Sequence, residues 1–409
     1  MNQSGSADDR QLIVAGFLLI VIILLSGGCQ RESPSISNPP TSTFERMPSR
    51  PLPSSFVGVF LPVNEMSGDA AVAYVREWAN TASGYGIEVV NLMVNWKDFQ
   101  PEETRYDFRT LQALIYEIKK AGMYAIVRIY ANAGPNFTAW PSWLNPDMAN
   151  TYFSGYSWNG LPVTNPEPWD TGYLSHLGTF FQEMANFFYE EDTVYPDAVQ
   201  ITAGGEYGEM VLASHPQRAT LDLDRLFDAE NAHVDMSVSS LGSVTGDFVL
   251  MVNSLWEGNP VVEDTVPNHA IARGIHWIQS NAGICNLIRQ PYGPGNVALL
   301  KRHQDNTGII LEDESSSWTG AGSPCEGLDS SIEGRLSLIS ALEAESGVGF
   351  NAATIAVTDL KESNRQGIEQ LKIHLAETDL LRTLRRPNAR REWNWNNVVP
   401  IQSESDEIR

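Results

Sequence analysis

Residues 88–130 contain the pattern that decides the fold, written EVVNLMV at 88–94, RTLQALIYEIKKA at 109–121 and YAIVRIY at 124–130. The first and third segments are short and rich in valine and isoleucine, which is typical of strands buried on both faces of a parallel sheet. The segment between them has the spacing of apolar residues that an amphipathic helix requires. This order predicts a strand–helix–strand unit with parallel strands.

The same alternation continues on both sides of this unit. We predict eight strands, at Phe56–Leu61, Glu88–Val94, Tyr124–Tyr130, Ala198–Thr202, Phe248–Val252, Ile284–Ile288, Gly308–Leu311 and Ala353–Val357. We predict helices at Ala70–Ala82, Arg109–Ala121, Gly172–Tyr189, Leu221–Ala229, Asn268–Ser280, Ser330–Glu345 and Asn364–Glu377. Eight such units predict an α/β fold, a single-domain (β/α)8 TIM barrel. An open doubly wound sheet is the rival fold, but no GxGxxG motif opens the first unit.

The N-terminal residues indicate export. An apolar run at Leu12–Leu25 has the length of a signal-peptide core and is short for a membrane span. It is followed by Ser26-Gly27-Gly28-Cys29, which resembles a bacterial lipoprotein box and implies lipidation of Cys29 at the end of a signal peptide over residues 1–29. An uncleaved apolar anchor is the alternative. In both cases we expect an exported protein, at the cell surface or in the periplasm, that is anchored to a membrane.

Composition limits the remaining organisation. Residues 30–54 are rich in serine and proline and predict a disordered linker, residues 55–380 the barrel, and residues 381–409 a polar tail. The net charge of −23 argues against nucleic-acid binding, which needs a basic face. Cys285 and Cys325 could form a disulfide in an oxidising compartment or remain buried thiols. The seven histidines show no metal-ligand spacing, and we expect neither a metal nor an organic cofactor.

Reacting groups of such barrels lie after the C-terminal ends of the strands. Polar and aromatic residues follow the second and third strands, and the long loop over residues 133–170 contains four tryptophans. Aromatic planes suit the apolar faces of sugar rings, although these tryptophans could instead cover the barrel mouth. The substrate-binding candidates are Asn95, Trp96, Arg128, Tyr130, Asn132, Trp140, Trp143, Tyr207, Trp256 and Trp318.

Carboxylates follow the fourth and seventh strands. Glu206 and Glu209 come after Ile201-Thr202-Ala203-Gly204-Gly205, and Glu312 and Glu314 come after Ile309-Ile310-Leu311. Glutamate is rarely buried without a partner or a task. Retaining glycoside hydrolysis needs two carboxyl groups about 5–5.5 Å apart, and strands four and seven face each other across a barrel mouth. The structural alternative is that these acids cap the helices that follow.

At these residues the chain resembles the clan of retaining glycoside hydrolases on (β/α)8 barrels, particularly its β-galactosidase families. The segments that carry the resemblance are 96–102 with Tyr106-Asp107-Phe108, Arg128 with Gly134-Pro135 and Trp140-Pro141-Ser142-Trp143-Leu144, Gly205-Glu206-Tyr207-Gly208, and Glu312. The resemblance implies that Glu206 is the general acid/base and Glu312 the nucleophile, with Glu209 and Glu314 as second choices. Gly205 stands where the clan has an asparagine that contacts the sugar.

The sequence therefore predicts a glycosidase that acts on β-linked glycosides or oligosaccharides. Because of Gly205, an inactive carbohydrate-binding lipoprotein on the same barrel is the alternative. A purely structural lipoprotein is a third reading, which leaves the aromatic loop unexplained.

Overall fold

The barrel is built from eight parallel strands. The computed structural model describes residues 44–385 apart from residues 64–65, 67, 133–137, 145–151, 157–160, 192–193, 202–221, 253–259, 281–282, 291–292 and 314–324. Its barrel strands are β1 (Phe56–Pro62), β2 (Val89–Asn95), β3 (Tyr124–Tyr130), β6 (Ala198–Ile201), β7 (Asp247–Val252), β8 (Trp277–Ser280), β9 (Gly308–Asp313) and β10 (Ala352–Ala356). They close in the order β1-β10-β9-β8-β7-β6-β3-β2. The predicted (β/α)8 barrel is confirmed.

Helices follow the strands around the outside. They are α1 (Gly68–Gly84), α2 (Arg109–Lys120), α3 (Thr171–Glu191), α4 (Leu223–Leu241), α5 (Pro260–Ala272), α6 (Ile284–Arg289), α7 (Gly293–His303), α8 (Ile332–Ser346) and α9 (Arg365–Arg385). Their ends carry the expected capping groups. Asp222 accepts a hydrogen bond from the backbone of Arg225 at the start of α4, and α8 ends at Gly347, whose φ of 73° suits glycine.

Strand alternation separates two sets of side chains. Outward residues such as Val57, Val59 and Leu61 join the core between strands and helices. Inward residues at the N-terminal end of the barrel form an apolar plug that includes Phe56, Val89, Ile126, Ala198, Val249, Trp277, Ile310 and Ala352. This plug fills one end of the barrel, and polar inward residues lie beyond it.

The prediction of the sixth strand is wrong. The segment Ile284–Ile288, predicted as a strand, lies in helix α6, while β8 (Trp277–Ser280) occupies the end of the predicted helix Asn268–Ser280. Helix α5 ends at Ala272, and Gly274 with φ of 86° turns the chain into β8. Short apolar runs do not distinguish a strand from a buried helix, so periodicity misled here. Helix α7 fills the link around residues 296–303, for which we predicted no element.

The long loop after β3 has structure of its own. Strands β4 (Tyr152–Tyr156) and β5 (Pro162–Pro166) pair antiparallel as a hairpin outside the barrel. Barrel strand β3 therefore pairs directly with β6.

Residues 44–54, which belong to the predicted linker, lie against the barrel. The Phe44 ring packs 4.8 Å from that of Tyr116, and Arg50 forms a salt bridge of 3.1 Å with the buried Asp197. The compact unit begins at Phe44, so the folded part starts before residue 55. At the other end, α9 continues to Arg385, beyond the predicted boundary at residue 380.

The predicted signal and anchor residues, including Leu12–Leu25 and Cys29, lie outside the described residues, as does the tail after residue 385. Among the helices that the structure describes, none combines the length and the apolar character needed to cross a membrane.

A disulfide joins Cys285 in α6 to Cys325, with the two Cα atoms 5.6 Å apart. The choice between paired and free thiols, which the sequence leaves open, is thereby decided in favour of pairing. The bond connects the segments that follow β8 and β9.

Candidate active site

The barrel interior beyond the apolar plug is polar. Asn91, Arg128, Gln200, Gln279 and Glu312 come from five different strands, and all five residues are buried. Barrel interiors are usually filled by branched apolar side chains. A polar layer near the C-terminal end of the barrel therefore calls for a functional explanation.

Glu312 is the centre of this layer. Its two carboxylate oxygens each lie 3.2 Å from Nη1 of Arg128, and Gln279 Nε2 donates a hydrogen bond to Oε2. Glu312 is 3% exposed and Arg128 1% exposed. A cation and an amide donor both stabilise the charged form of a carboxylate, and the burial of all three side chains keeps the group away from water. Glu312 lies within β9 and contacts residues of β3 and β8, so for this residue the helix-cap alternative is wrong.

The amide side chains orient Gln279. Asn91 Nδ2 donates to Gln200 Oε1 at 2.8 Å and to Gln279 Oε1 at 3.4 Å. With its oxygen accepting from Asn91, Gln279 turns its amide nitrogen to Glu312. Sequence reasoning missed all three amide residues. Gln279 lay in a wrongly predicted helix. Asn91 could have been found from the sequence, because it is the polar residue within the apolar strand VVNLMV.

Trp96, a predicted substrate-binding residue, belongs to the core. It is 0% exposed, and its ring packs against Tyr173 and Phe180 at centroid distances of 6.1 and 5.7 Å. Its indole nitrogen donates to Gln100 Oε1 at 2.7 Å. A fully buried ring has no face for a sugar, so the assignment of Trp96 as a sugar platform is corrected.

Trp140 and Trp143 are half-buried and fasten the long loop. Trp140 donates to the carbonyl of Thr164 in β5 at 3.3 Å, and its ring lies 5.4 Å from that of Tyr152 in β4. Trp143 donates to the carbonyl of Gln100 at 2.9 Å. These three contacts agree with the alternative in which the tryptophans cover the barrel mouth.

The remaining described candidates lie at the ends of β2 and β3. Asn95 donates to Asp98 at 3.1 Å, and Asn132 accepts from the hydroxyl of Tyr173 at 2.7 Å. Tyr130 packs with Phe60, Met93 and Ala139, and the Arg128 guanidinium lies 4.8 Å from the centroid of the Tyr130 ring. The structure thus joins Arg128 and Tyr130 to Glu312, whereas Asn95 contacts Asp98 and Asn132 contacts Tyr173 of α3.

Several predicted site residues lie outside the described residues, and their roles stay predictions: Glu206, Glu209, Glu314, Tyr207, Trp256 and Trp318. Within the described ranges, no group of three or more histidine, cysteine, aspartate or glutamate side chains is arranged to hold a metal ion.

Residues 73–219 match the family model of glycoside hydrolase family 42, described as β-galactosidase. This range runs from α1 through β6 and includes Glu206. Over this range the chain is similar to a glycoside hydrolase domain. The predicted glycosidase and its resemblance to the β-galactosidase families are confirmed. No curated protein sequence matches the chain.

Solved structures share the fold at low identity. The catalytic domain of β-amylase from Paenibacillus polymyxa has a TM-score of 0.51 and 11% identity, over 79% of this chain and 98% of that chain. The β-galactosidase of the psychrophilic Marinomonas ef1 has a TM-score of 0.51 and 11% identity, over 80% of this chain and 60% of that one. An exo-β-1,4-mannosidase from Opitutaceae bacterium strain TAV5 has a TM-score of 0.50 and 12% identity, over 79% and 60%. At these identities the similarity concerns the barrel alone.

Proposed function

We propose that this protein is a retaining β-glycosidase with Glu312 as nucleophile and Glu206 as general acid/base. The observation that carries the proposal is the buried Glu312 carboxylate, near the C-terminal end of β9, held by Arg128 and Gln279. Because the family match is to β-galactosidases, β-linked galactosides are the first substrate class to test.

The proposed reaction has two steps. A Glu312 oxygen attacks the anomeric carbon while the glycosidic C–O bond breaks, and the leaving oxygen takes a proton from Glu206. Water then attacks the same carbon, gives its proton to Glu206 and releases Glu312 as a carboxylate. Arg128 favours the second step, because ester formation removes the negative charge that this buried cation pairs with and hydrolysis restores it.

The proposed location is outside the cytoplasm, at a membrane. The support is the disulfide between Cys285 and Cys325, a bond that persists mainly in oxidising compartments, together with the sequence pattern of residues 12–29. Replacing Cys29 by serine is expected to release the protein from the membrane fraction. Unchanged retention would favour the apolar segment as the anchor.

Trapping of the intermediate tests the nucleophile. A 2-deoxy-2-fluoro-β-galactoside with a dinitrophenolate leaving group should inactivate the enzyme, and peptide mapping should find the sugar on Glu312. Glu312→Gln should take up no label. A label on Glu314 would reassign the nucleophile, and labelling of neither glutamate would overturn the mechanism. Of Glu206→Gln and Glu209→Gln, the variant that loses activity on poor leaving groups but keeps it on good ones identifies the acid/base.

Gly205 favours a second candidate function, binding without turnover. The asparagine at this position in the clan contacts the sugar 2-hydroxyl, a contact that strengthens in the transition state. Calorimetry with glycans and release assays with aryl β-glycosides separate the two functions, because binding without release of any aglycone would favour the binding protein.

A further inference from the structure

Asp313 lies next to Glu312 in β9 but points the other way. Alternation along a strand directs Glu312 into the barrel and Asp313 towards the surrounding helices. Asp313 is buried, and it is the last residue of β9, paired in register with Ile355 of β10. The residues that follow it lie outside the described ranges. The position of this strand end is therefore described through the contacts of Asp313.

Arg335 of α8 reaches this strand end. Its Nη1 lies 3.4 Å from the backbone oxygen of Asp313 and 3.5 Å from Oδ2 of the same residue. The guanidinium also donates to both carboxylate oxygens of Asp359, at 2.8 and 3.0 Å. The Arg335 side chain is 3% exposed, so this is a buried ion pair with two-point geometry.

Asp359 is itself fixed by the turn after β10. Its Oδ2 accepts from the backbone nitrogen of Ala356 at 3.2 Å, and its carbonyl accepts from Asn364 Nδ2 at 2.9 Å. Arg335 therefore ties the ends of β9 and β10 to the start of α8, directly behind Glu312.

We propose that Arg335, held by Asp359, is a positioning residue for the nucleophile. The direction of the Glu312 side chain follows the backbone of β9, and Arg335 holds the carbonyl of the adjacent residue. Misplacement of a reacting atom by about 1 Å can cost on the order of 100-fold in rate. The inference rests on the proposed function, because it assigns Glu312 the attack on the anomeric carbon.

The experiment compares two buried cations at opposite ends of the barrel. Arg335→Met removes the contact behind Glu312. The matched control is Lys119→Met, because Lys119 is also 3% exposed and pairs at 2.9 Å with Asp197, just before β6 at the N-terminal end. Asp359→Asn and Arg335→Lys weaken the same ion pair and keep polar side chains at both positions. These two variants replace Arg335→Met in the experiment if that variant does not fold.

The rate constant of inactivation by the 2-fluoro-β-galactoside is measured at temperatures where circular dichroism shows each variant folded. We expect Arg335→Met and Asp359→Asn to lower it by roughly 10–100-fold, with the inhibitor dissociation constant little changed and Arg335→Lys in between. Lys119→Met should lower the melting temperature and leave the rate constant unchanged.

The outcomes separate this inference from the proposed function. Labelling of Glu312 at wild-type rates in the Arg335 and Asp359 variants would overturn the positioning role and leave the nucleophile in place. An equal loss of rate in Lys119→Met would also overturn it, because any buried pair would then have the same effect. Absence of label on Glu312 in the wild type would overturn the proposed function and this inference with it.

Discussion

Arg128 and Glu312 form a buried ion pair across the barrel, with Arg128 Nη1 3.2 Å from each carboxylate oxygen. Removing one partner of such a pair leaves an uncompensated charge and typically costs about 3–5 kcal/mol, whereas replacing both partners can be neutral. We therefore expect Arg128→Met and Glu312→Gln each to lower the free energy of unfolding by about that amount. The double variant should lose less than the sum of the two.

Urea unfolding of the wild type, both single variants and the double variant forms a double-mutant cycle, which measures the coupling energy between Arg128 and Glu312. Arg76→Met is a suitable control, because its salt bridge of 2.8 Å with Glu117 has a 54% exposed cation and exposed pairs contribute about 0–1 kcal/mol. Additive losses at Arg128 and Glu312 would contradict a direct ion pair.

The sequence singled out candidate site residues where a charged side chain interrupts or follows an apolar strand. Glu312 after an apolar strand and Arg128 within one are out of place in a packed barrel, and both lie in the polar layer. The same reasoning gave a wrong prediction for Trp96. An aromatic residue after a strand can bind a sugar or pack in the core, and the local sequence does not distinguish the two roles. The ring contacts that decide between them come from α3, which lies about 80 residues further along the chain.

At the scale of single elements, the spacing of apolar residues identified the longer strands and helices correctly. It assigned the wrong type to two short ones. The strand over Tyr124–Tyr130 has the predicted bounds. The four residues of β8 and the six of α6 were misassigned, because a window so short contains too few positions to separate the two periods. Strand pairing with β7 and β9 stabilises β8, and such contacts have no local signature.

Helix α4 carries a further prediction, because it buries two titratable groups. Glu230 and His233 are each 1% exposed, and among the described residues neither carboxylate oxygen nor either ring nitrogen has a hydrogen-bond partner. Burial raises the pKa of Glu230 well above its ordinary value and lowers the pKa of His233 to about 4. Burial thus favours the neutral form of both groups in the folded protein, and a pKa of about 4 keeps His233 neutral at pH 7.

The sign of the pH dependence follows from linkage. With a raised pKa, folded Glu230 binds its proton more tightly than the unfolded chain does, so its contribution to stability falls as the pH rises above the ordinary glutamate value. For His233 the contribution is lost as the pH falls from about 6.5 towards its folded pKa of about 4. The two contributions therefore oppose each other in the mildly acidic range, where that of His233 grows with rising pH while that of Glu230 falls.

Glu230→Met isolates the glutamate term. An unsatisfied buried polar group costs about 1–3 kcal/mol, so the variant should be more stable than the wild type by about that amount, and this advantage should grow as the pH rises above the ordinary glutamate pKa. Urea unfolding at pH 5, 7 and 9 measures this difference. Asp228→Asn, on the exposed side of the same helix, should show no such trend. Destabilisation by Glu230→Met at all three pH values would mean that the carboxyl group has a partner.

For the whole molecule, the alternation of strands and helices predicted the barrel. Where the folded part begins and ends along the chain depends on contacts between residues distant in sequence, which the alternation does not show. Residues 44–54 looked like linker because they are rich in serine and proline, yet Arg50 pairs with Asp197, 147 residues further on. The two cysteines illustrate the same limit, since only the folded chain brings their Cα atoms to 5.6 Å.

The disulfide should contribute to the stability of the whole barrel, because it closes a loop with a sequence separation of 40 residues that contains β9 and Glu312. A cross-link of this loop length restricts the unfolded chain and typically contributes about 2–4 kcal/mol. We expect Cys285→Ala/Cys325→Ala to lower the free energy of unfolding by that amount. With Cys29→Ser in every protein to prevent mispairing, urea unfolding with and without dithiothreitol measures the effect. Reductant should destabilise the parent protein to the level of the double variant and leave the double variant unchanged. A parent protein indifferent to dithiothreitol after prolonged unfolding would show that the thiols are not joined in solution, and would remove this support for an oxidising compartment.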